Sequence, residues 1–290
     1  MIKLWQGALV LAILLVPVLA VPVSVIAAEP QERNGQPVPA KRIVALAPHI
    51  TELLYAIGAG EQLVAVSAYS DYPAAARELP EVANYAGINL EAILALQPDL
   101  VIAWKTGNVA TDISRLQQFG INVAFSDPLL ISDIATELRY LGQLTGHQQQ
   151  ADALAENFEQ QLTAIQTEYK TKARLPVFFS MGTEPLTSVA NQAWPAQAIR
   201  LCAADNIMDE TLGDYPQPGI EQVLQAQPQV IIQATAGATP ADTSFWQAYQ
   251  VIPAVERNQF IVVDADLLYR TSPRTLQGIR QLCQGLDRFR

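Results

Sequence analysis

The sequence predicts an α/β protein of two lobes joined by one long helix, and three observations carry that expectation. One carboxylate-bearing segment occurs twice, short apolar runs alternate with helical stretches in both halves, and an unbroken helical pattern lies between them. The first copy of the repeat is Ile88-Asn89-Leu90-Glu91-Ala92-Ile93-Leu94-Ala95-Leu96-Gln97-Pro98-Asp99-Leu100-Val101-Ile102. The second is Pro218-Gly219-Ile220-Glu221-Gln222-Val223-Leu224-Gln225-Ala226-Gln227-Pro228-Gln229-Val230-Ile231-Ile232. Glutamate, proline and apolar strand fall at the same spacing, as expected of two similar structural units. Each unit carries one glutamate near the start of a short helix. Two matched carboxylates on two matched lobes suit a two-fold symmetric partner. The plainer alternative is a pair of exposed helix-start carboxylates favoured by the helix dipole.

In the first half, Ile43-Val44-Ala45-Leu46 is a short buried strand, and a helix from Glu52 to Ile57 ends at Gly58. Strands at Leu63 to Val66, Val101 to Trp104 and Val123 to Phe125 alternate with helices at Leu90 to Leu96, Asp112 to Phe119 and Ser132 to Thr145. That order indicates a parallel sheet. From Gln148 to Lys172 there is neither proline nor glycine, and Leu154, Phe158, Leu162, Ile165 and Tyr169 recur at helical spacing. Val177-Phe178-Phe179 then opens a second series with helices at Gln197 to Cys202, Ile220 to Gln225 and Pro273 to Arg288, and strands at Val230 to Ile232 and Phe260 to Val263. The expected divisions are a signal peptide over 1–28, a flexible leader over 29–40, lobes over 41–146 and 174–290, and a linker helix over 147–173.

The signal reading rests on Lys3, the apolar run from Leu4 to Ala20, and small residues at Ile26-Ala27-Ala28 before a polar stretch. A retained anchor is the alternative, since the run approaches spanning length. The formal charge of −10 argues against nucleic acid or anionic membrane as partner. Cys202 and Cys283 are the only cysteines. In an oxidising compartment they are most simply a disulfide, with two buried free thiols as the alternative.

Catalysis finds no footing. There is no Gly-x-Ser-x-Gly, no Walker loop and no Gly-x-Gly-x-x-Gly, and the two histidines, His49 and His147, lie far apart. A protein metal cage is not expected either. His49 falls on the loop after the first strand, within reach of a ligand, while His147 opens the long helix in solvent. Aromatic residues do cluster at strand ends: Tyr69 and Tyr72, Tyr85, Trp104, and Tyr215. Such rings suit a large flat ligand between the lobes, or they cover the core. Trp194 and Trp246 read as surface or packing residues. Asp266 and Arg270 could meet ligand polar groups or pair with each other. Ser272-Pro273-Arg274 reads as a helix start with Ser272 as N-cap.

Ile43-Val44-Ala45-Leu46-Ala47-Pro48 with Thr51-Glu52, Ala68-Tyr69-Ser70-Asp71-Tyr72-Pro73, Asn89-Leu90-Glu91 with Pro98-Asp99-Leu100-Val101-Ile102, Ala103-Trp104 and Ser272-Pro273-Arg274 resemble the periplasmic binding proteins for iron-siderophores, haem and cobalamin. The resemblance runs from about Lys41 to Phe289 and is strongest to the cobalamin-binding branch. It implies two Rossmann-like lobes on a helical backbone, and a periplasmic solute-binding component of an ABC importer with no catalytic step and no resident cofactor. It implies that Tyr69, Tyr85 and Trp104 line a corrin cleft, faced by Leu186, Tyr215, Asp266, Leu267 and Arg270. It implies that Glu91 and Glu221 engage the inner-membrane permease dimer, that Cys202 and Cys283 form a disulfide, and that the free protein is a monomer. Tyr85 and Tyr215 stand where relatives often carry tryptophan, and Leu186 where an aromatic is expected, so this cleft is less aromatic. A haem or ferric-siderophore ligand is the alternative within the same superfamily.

Overall fold

The structure is a computed structural model that describes residues 32–33, 36–190, 193–237, 239–240 and 242–290. The signal-peptide expectation for residues 1–28 lies outside the described residues. Within the leader, β1 (Glu32–Arg33) and β2 (Gln36–Pro37) form a two-residue antiparallel ladder.

The first lobe comprises β3 (Ile43–Ala45), α1 (Pro48–Ala56), β4 (Leu63–Ser67), β5 (Glu81–Asn84), β6 (Gly87–Ile88), α2 (Leu90–Ala95), β7 (Leu100–Trp104), α3 (Ala110–Gln118), β8 (Val123–Ser126) and α4 (Asp133–Thr145). The connecting helix is α5 (Gln148–Tyr169). The second lobe comprises β9 (Leu175–Ser180), β10 (Gly182–Thr183), β11 (Leu186–Thr187), α6 (Trp194–Leu201), β12 (Ala204–Asn206), α7 (Ile220–Ala226), β13 (Val230–Thr235), α8 (Pro253–Glu256), β14 (Phe260–Asp264), α9 (Ala265–Tyr269) and α10 (Thr275–Asp287).

The two main sheets share one plan. Strand order is β6-β5-β4-β3-β7-β8 in the first and β12-β9-β13-β14 in the second. Every pairing from β5 through β8, and all in the second sheet, are parallel. The strand that opens each lobe, β3 or β9, therefore sits inside its sheet, and the strand after the duplicated helix, β7 or β13, lies beside it. The repeat holds at the level of single bonds. Asp99 N–H donates to the Arg42 carbonyl at 3.0 Å, and Gln229 N–H to the Pro176 carbonyl at 2.8 Å. Gln97 and Gln227 both take left-handed backbone, at φ 48° and 49°, to turn from the helix into Pro98 and Pro228.

Strand side chains alternate between two cores, as a sheet covered on both faces requires. Ile43, Ala45, Leu100 and Ile102 point into one apolar cluster, and Val44, Val101 and Ala103 into another. In the second lobe Val177, Phe179, Val230 and Ile232 join the first of these clusters, while Phe178 and Ile231 pack with Trp246. One apolar core is thus common to both lobes, and α5 runs through it. Ala151, Ala155, Phe158, Leu162, Ile165 and Tyr169 form its buried stripe. The pattern matches the 3.6-residue period, with the alanines admitting close approach of α4: the Ala151 methyl lies where a side chain on Gly142 would have to go. At 22 residues, α5 is about 33 Å long. Its far end is tied by the Tyr169 hydroxyl, which donates to Asp287 Oδ2 at 3.0 Å.

Several local expectations change. α1 begins at Pro48 rather than Glu52, because proline at the first helical position loses no hydrogen bond. Trp194 and Trp246 are both buried, which bears out packing over surface for the pair. His147 is half-buried, with Nδ1 3.1 Å from the Thr145 carbonyl. No helix among the described residues is long and apolar enough to cross a membrane.

Cys202, after α6, and Cys283, on α10, form a disulfide that closes an 81-residue separation inside the shared core. The chain-entropy model values such a closure at roughly 4–5 kcal/mol. Replacing both cysteines by serine should lower the unfolding free energy by several kcal/mol in urea titrations under non-reducing conditions. An unchanged midpoint would mean that the bridge restrains little of the unfolded chain.

Candidate binding cleft

The loops at the carboxyl ends of the two parallel sheets face each other, and direct bonds show it. Glu52, on α1 after β3, is only 4% exposed. Its Oε1 accepts from Arg270 Nη1 and Arg274 Nη1, each at 3.0 Å, and its Oε2 accepts from Ser272 Oγ at 2.6 Å. All three donors lie between β14 and α10. Arg270 Nη1 also reaches Asp71 Oδ1 at 2.6 Å, in the loop after β4, and Nη2 reaches Asp266 Oδ1 at 3.0 Å. Arg274 stacks over the Tyr72 ring at 3.7 Å. Ser272 is therefore not an N-cap: α10 starts at Thr275, and the hydroxyl is committed to Glu52. Partial burial alone would raise the Asp71 carboxyl, but the hydrogen bond and charge of Arg270 outweigh it and hold its pKa below the usual value. A second tie lies at α6, where Gln197 Nε2 donates to the Leu129 carbonyl at 2.8 Å and Gln197 Oε1 accepts from Ile131 N–H at 3.1 Å.

The aromatic candidates lie at or after the ends of strands in both lobes. Tyr69 is 72% exposed and adopts left-handed backbone, φ 64°, uncommon for a bulky residue. A hydroxyl chain fixes its turn: Thr51 Oγ1 donates to Ser70 Oγ at 3.1 Å, and Ser67 and Ser70 hydroxyls lie 3.1 Å apart. Tyr85 follows β5 and is 92% exposed. Trp104 ends β7 at 40% exposure, with Nε1 donating to Asp127 Oδ1 at 3.2 Å. Its ring passes so close to Gly107 that an added Cβ there would lie 2.0 Å from it. On the second lobe, Tyr215 is exposed in the stretch between β12 and α7. That stretch is held by Ser188 N–H to the Pro216 carbonyl, 3.0 Å, and Ala190 N–H to the Asp214 carbonyl, 2.9 Å. Leu186 is buried with Phe178 and Trp246, and Leu267, on α9, is buried against Gly278 of α10.

His49 is the main local correction. It sits in the first turn of α1, buried, not on an open loop. Nε2 lies 3.3 Å from Ser126 Oγ, and the ring meets Trp104 edge-on at 5.5 Å between centroids. Burial lowers its pKa to about 4, against the opposing charge of Asp127, so the imidazole is neutral at pH 7. Sequence reasoning gave Glu52 no role in the site, and it placed His49 on a loop open to ligand rather than buried beside Trp104. The Tyr269 hydroxyl, buried and unpartnered beside Tyr215, was also missed, and burial pushes its pKa up. Glu91 and Glu221 are exposed in the first turns of α2 and α7. Asn89 Oδ1 accepts from Ala92 N–H in one copy, and Gly219 N–H donates to Gln222 Oε1 in the other, both at 3.0 Å.

A groove of about 450 Å³ between α5 and α10 is lined by amides, among them Asn157, Gln161, Gln277 and Gln281, together with apolar side chains and two arginines. It offers no exposed aromatic face comparable to those of the cleft. Among the described residues, no three His, Cys, Asp or Glu side chains are grouped to hold a metal ion.

Residues 43–267 match the family model described as periplasmic binding protein. The chain is 38% identical over 250 residues to the vitamin B12-binding protein of Vibrio parahaemolyticus, covering 86% of this chain and 90% of that one. It is 41% identical over 252 residues to the vitamin B12-binding protein of Pectobacterium atrosepticum, covering 85% and 88%. Among solved structures it resembles the periplasmic vitamin B12 binding protein BtuF of Vibrio cholerae, with a TM-score of 0.78, 39% identity, and coverage of 86% of this chain and 97% of that one.

Unfolded, His49 takes up a proton near its ordinary pKa of 6.5, but folded it does so only near 4. As pH falls between those values the unfolded chain gains the extra proton, so His49 should cost about 3 kcal/mol of stability by pH 4 and nothing more below it. Urea unfolding of the wild type and His49→Asn at pH 7 and pH 4.5 checks this. The variant should lose markedly less stability on acidification, and equal losses would show that His49 already titrates normally in the fold.

Proposed function

Because the chain belongs to the periplasmic binding protein family, we propose that it is the solute-binding component of an ABC importer, which captures cobalamin between its lobes and delivers it to the inner-membrane permease. It works in the periplasm, exported by a cleaved signal peptide. It performs no catalytic step, and cobalamin is cargo rather than cofactor. The observation that carries this reading is the set of exposed rings at the carboxyl ends of two facing sheets, in a chain 38–41% identical to proteins named for vitamin B12 binding.

Tyr69, Tyr85 and Trp104 offer ring faces from the first lobe to the corrin. Tyr215, Asp266 and Arg270 answer from the second, Asp266 and Arg270 through polar groups at the corrin periphery. Leu186 and Leu267 support that wall from behind. Aromatic faces bury wide apolar area at small entropic cost, which suits a rigid macrocycle. The clamp at Glu52 keeps closure small, so affinity comes from a preformed site. Glu91 and Glu221 reach arginines on the two permease copies, and as exposed rim charges they set encounter and orientation more than raw affinity. The chain acts as a monomer.

Calorimetric titration of the mature protein with cyanocobalamin should give saturable one-to-one binding below micromolar Kd, weakened about tenfold or more by Trp104→Ala. No binding by folded, disulfide-intact protein would remove cobalamin as the ligand. Reversing both docking charges, Glu91→Arg with Glu221→Arg, should abolish uptake in reconstituted vesicles while leaving the titration unchanged. Loss of ligand binding in that double variant would refute the docking role.

A further inference from the structure

We infer that Leu129 and Leu130, in the loop after β8, contact the ligand and close the first-lobe wall of the cleft with an aliphatic edge beside Trp104. This rests on the reading of the cleft as a cobalamin site and adds two residues to it. Sheet order places them. The strands run β5-β4-β3-β7-β8 across the first lobe, all parallel, so the loops at their carboxyl ends form a row. Tyr85 follows β5, Tyr69 follows β4 and Trp104 ends β7. The loop after β8 is the next place in that row, about 4.8 Å beyond β7 at ordinary strand spacing. Trp104 pairs with Ser126 in register, and its Nε1 donates to Asp127 Oδ1 at 3.2 Å, so the β8 loop starts against the indole.

The backbone of this loop is tied down while its leucines stay in water. Leu129 and Leu130 N–H both donate to Asp133 Oδ2, at 3.0 and 2.8 Å. The Leu129 carbonyl accepts from Gln197 Nε2 of the second lobe at 2.8 Å, and Ile131 N–H donates to Gln197 Oε1 at 3.1 Å. The pair therefore sits where the lobes meet. Pro128 and Ile131 on either side are buried, Ile131 in the shared core, yet Leu129 and Leu130 are 64% and 49% exposed. Folding gains little from an apolar side chain left in water. Two adjacent leucines on a pinned backbone in a cleft wall offer apolar area for a bound molecule to cover. Their backbone is already ordered by the fold, so burial there goes to affinity. A corrin carries methyl groups as well as amide chains around its ring. The leucines suit its methyl-bearing edge, as Asp266 and Arg270 suit its amides.

The test titrates the mature wild type, the double variant Leu129→Ser with Leu130→Ser, and Val251→Ser with cyanocobalamin, each beside a urea unfolding curve. Val251 is 68% exposed and precedes α8 at the amino end of β14, opposite the cleft end of that sheet. The double serine variant should bind about tenfold more weakly or worse, with an unchanged unfolding midpoint, since both side chains already lie in water. Val251→Ser should bind as the wild type does. Leu129→Met with Leu130→Met keeps the apolar area and should stay within about threefold of wild-type affinity. Wild-type affinity in the serine pair, an equal loss in Val251→Ser, or a methionine pair as weak as the serine pair overturns the proposal. A serine pair that loses binding and stability together shows a structural role and overturns it as well. No cobalamin binding by the wild type removes the cobalamin reading and the leucine contacts with it, whereas wild-type binding that the serine pair retains removes the leucine contacts alone.

Discussion

One buried carboxylate sets the relation between the lobes. Glu52 leaves water on α1 and finds two guanidiniums and a hydroxyl, all from a segment more than 200 residues away in the chain. Burying a lone carboxylate costs several kcal/mol, and only close, well-aligned donors offset it. Here every donor sits at 3.0 Å or less, and Arg270 is in turn balanced by Asp71 and Asp266. Such a network adds little net stability over an apolar contact, but removing one member costs about 3–5 kcal/mol. Its effect is on geometry. With α5 joining the lobes through a shared core on one side and Glu52 joining them at the cleft, the lobes have little freedom to swing, and ligand binding need not be spent on closing them.

The duplication explains why both sheets bring their carboxyl ends to one place. Each lobe starts on an inner strand, crosses outward, and returns on the other side through the repeated helix-proline-strand unit. Because these strands run parallel, the loops that leave their carboxyl ends all lie at the same end of each sheet. Facing the lobes across the clamp then sets the two loop clusters opposite each other. The same operation sets the short helices α2 and α7, with Glu91 and Glu221 in their first turns, at matching positions on the two lobes. The left-handed glutamines at 97 and 227 show that the copy extends to backbone conformation, where few residues tolerate φ near +50°.

The buried strands, the long helix and the repeat were legible because each has a local signature: apolar runs, a 3.6-residue period, or recurrence. What was not legible has no such signature. β5 and β12 are short and half polar or more, and β6, β10 and β11 are two residues each. α9 is a five-residue turn that sequence reads as loop. Ser272 carries the local chemistry of an N-cap, yet a distant carboxylate outbids the local backbone for its hydroxyl. Glu52 stands next to Leu53 and Leu54 in a helix whose pattern says only that this face is buried; nothing nearby in the chain announces the arginines. His49 likewise reads as loop because Pro48 suggests a break, whereas proline here starts the helix.

The two walls of the cleft are built to different stiffness. Trp104 is fixed from three directions: Asp127 holds its indole N–H, the His49 ring meets its edge, and Gly107 lets the backbone pass beneath it. Tyr69 is held by a turn pinned through three hydroxyls to α1, the helix that also carries Glu52. The first lobe is therefore a rigid aromatic platform whose orientation cost is met by folding rather than by binding. Opposite it, Tyr215 rides a stretch without helix or strand, tied at two backbone bonds, and Leu186 and Leu267 offer buried aliphatic support in place of rings. His49, neutral beside Trp104, adds no charge to that wall, and the clamp pairs Arg270 and Arg274 of the facing segment with Glu52.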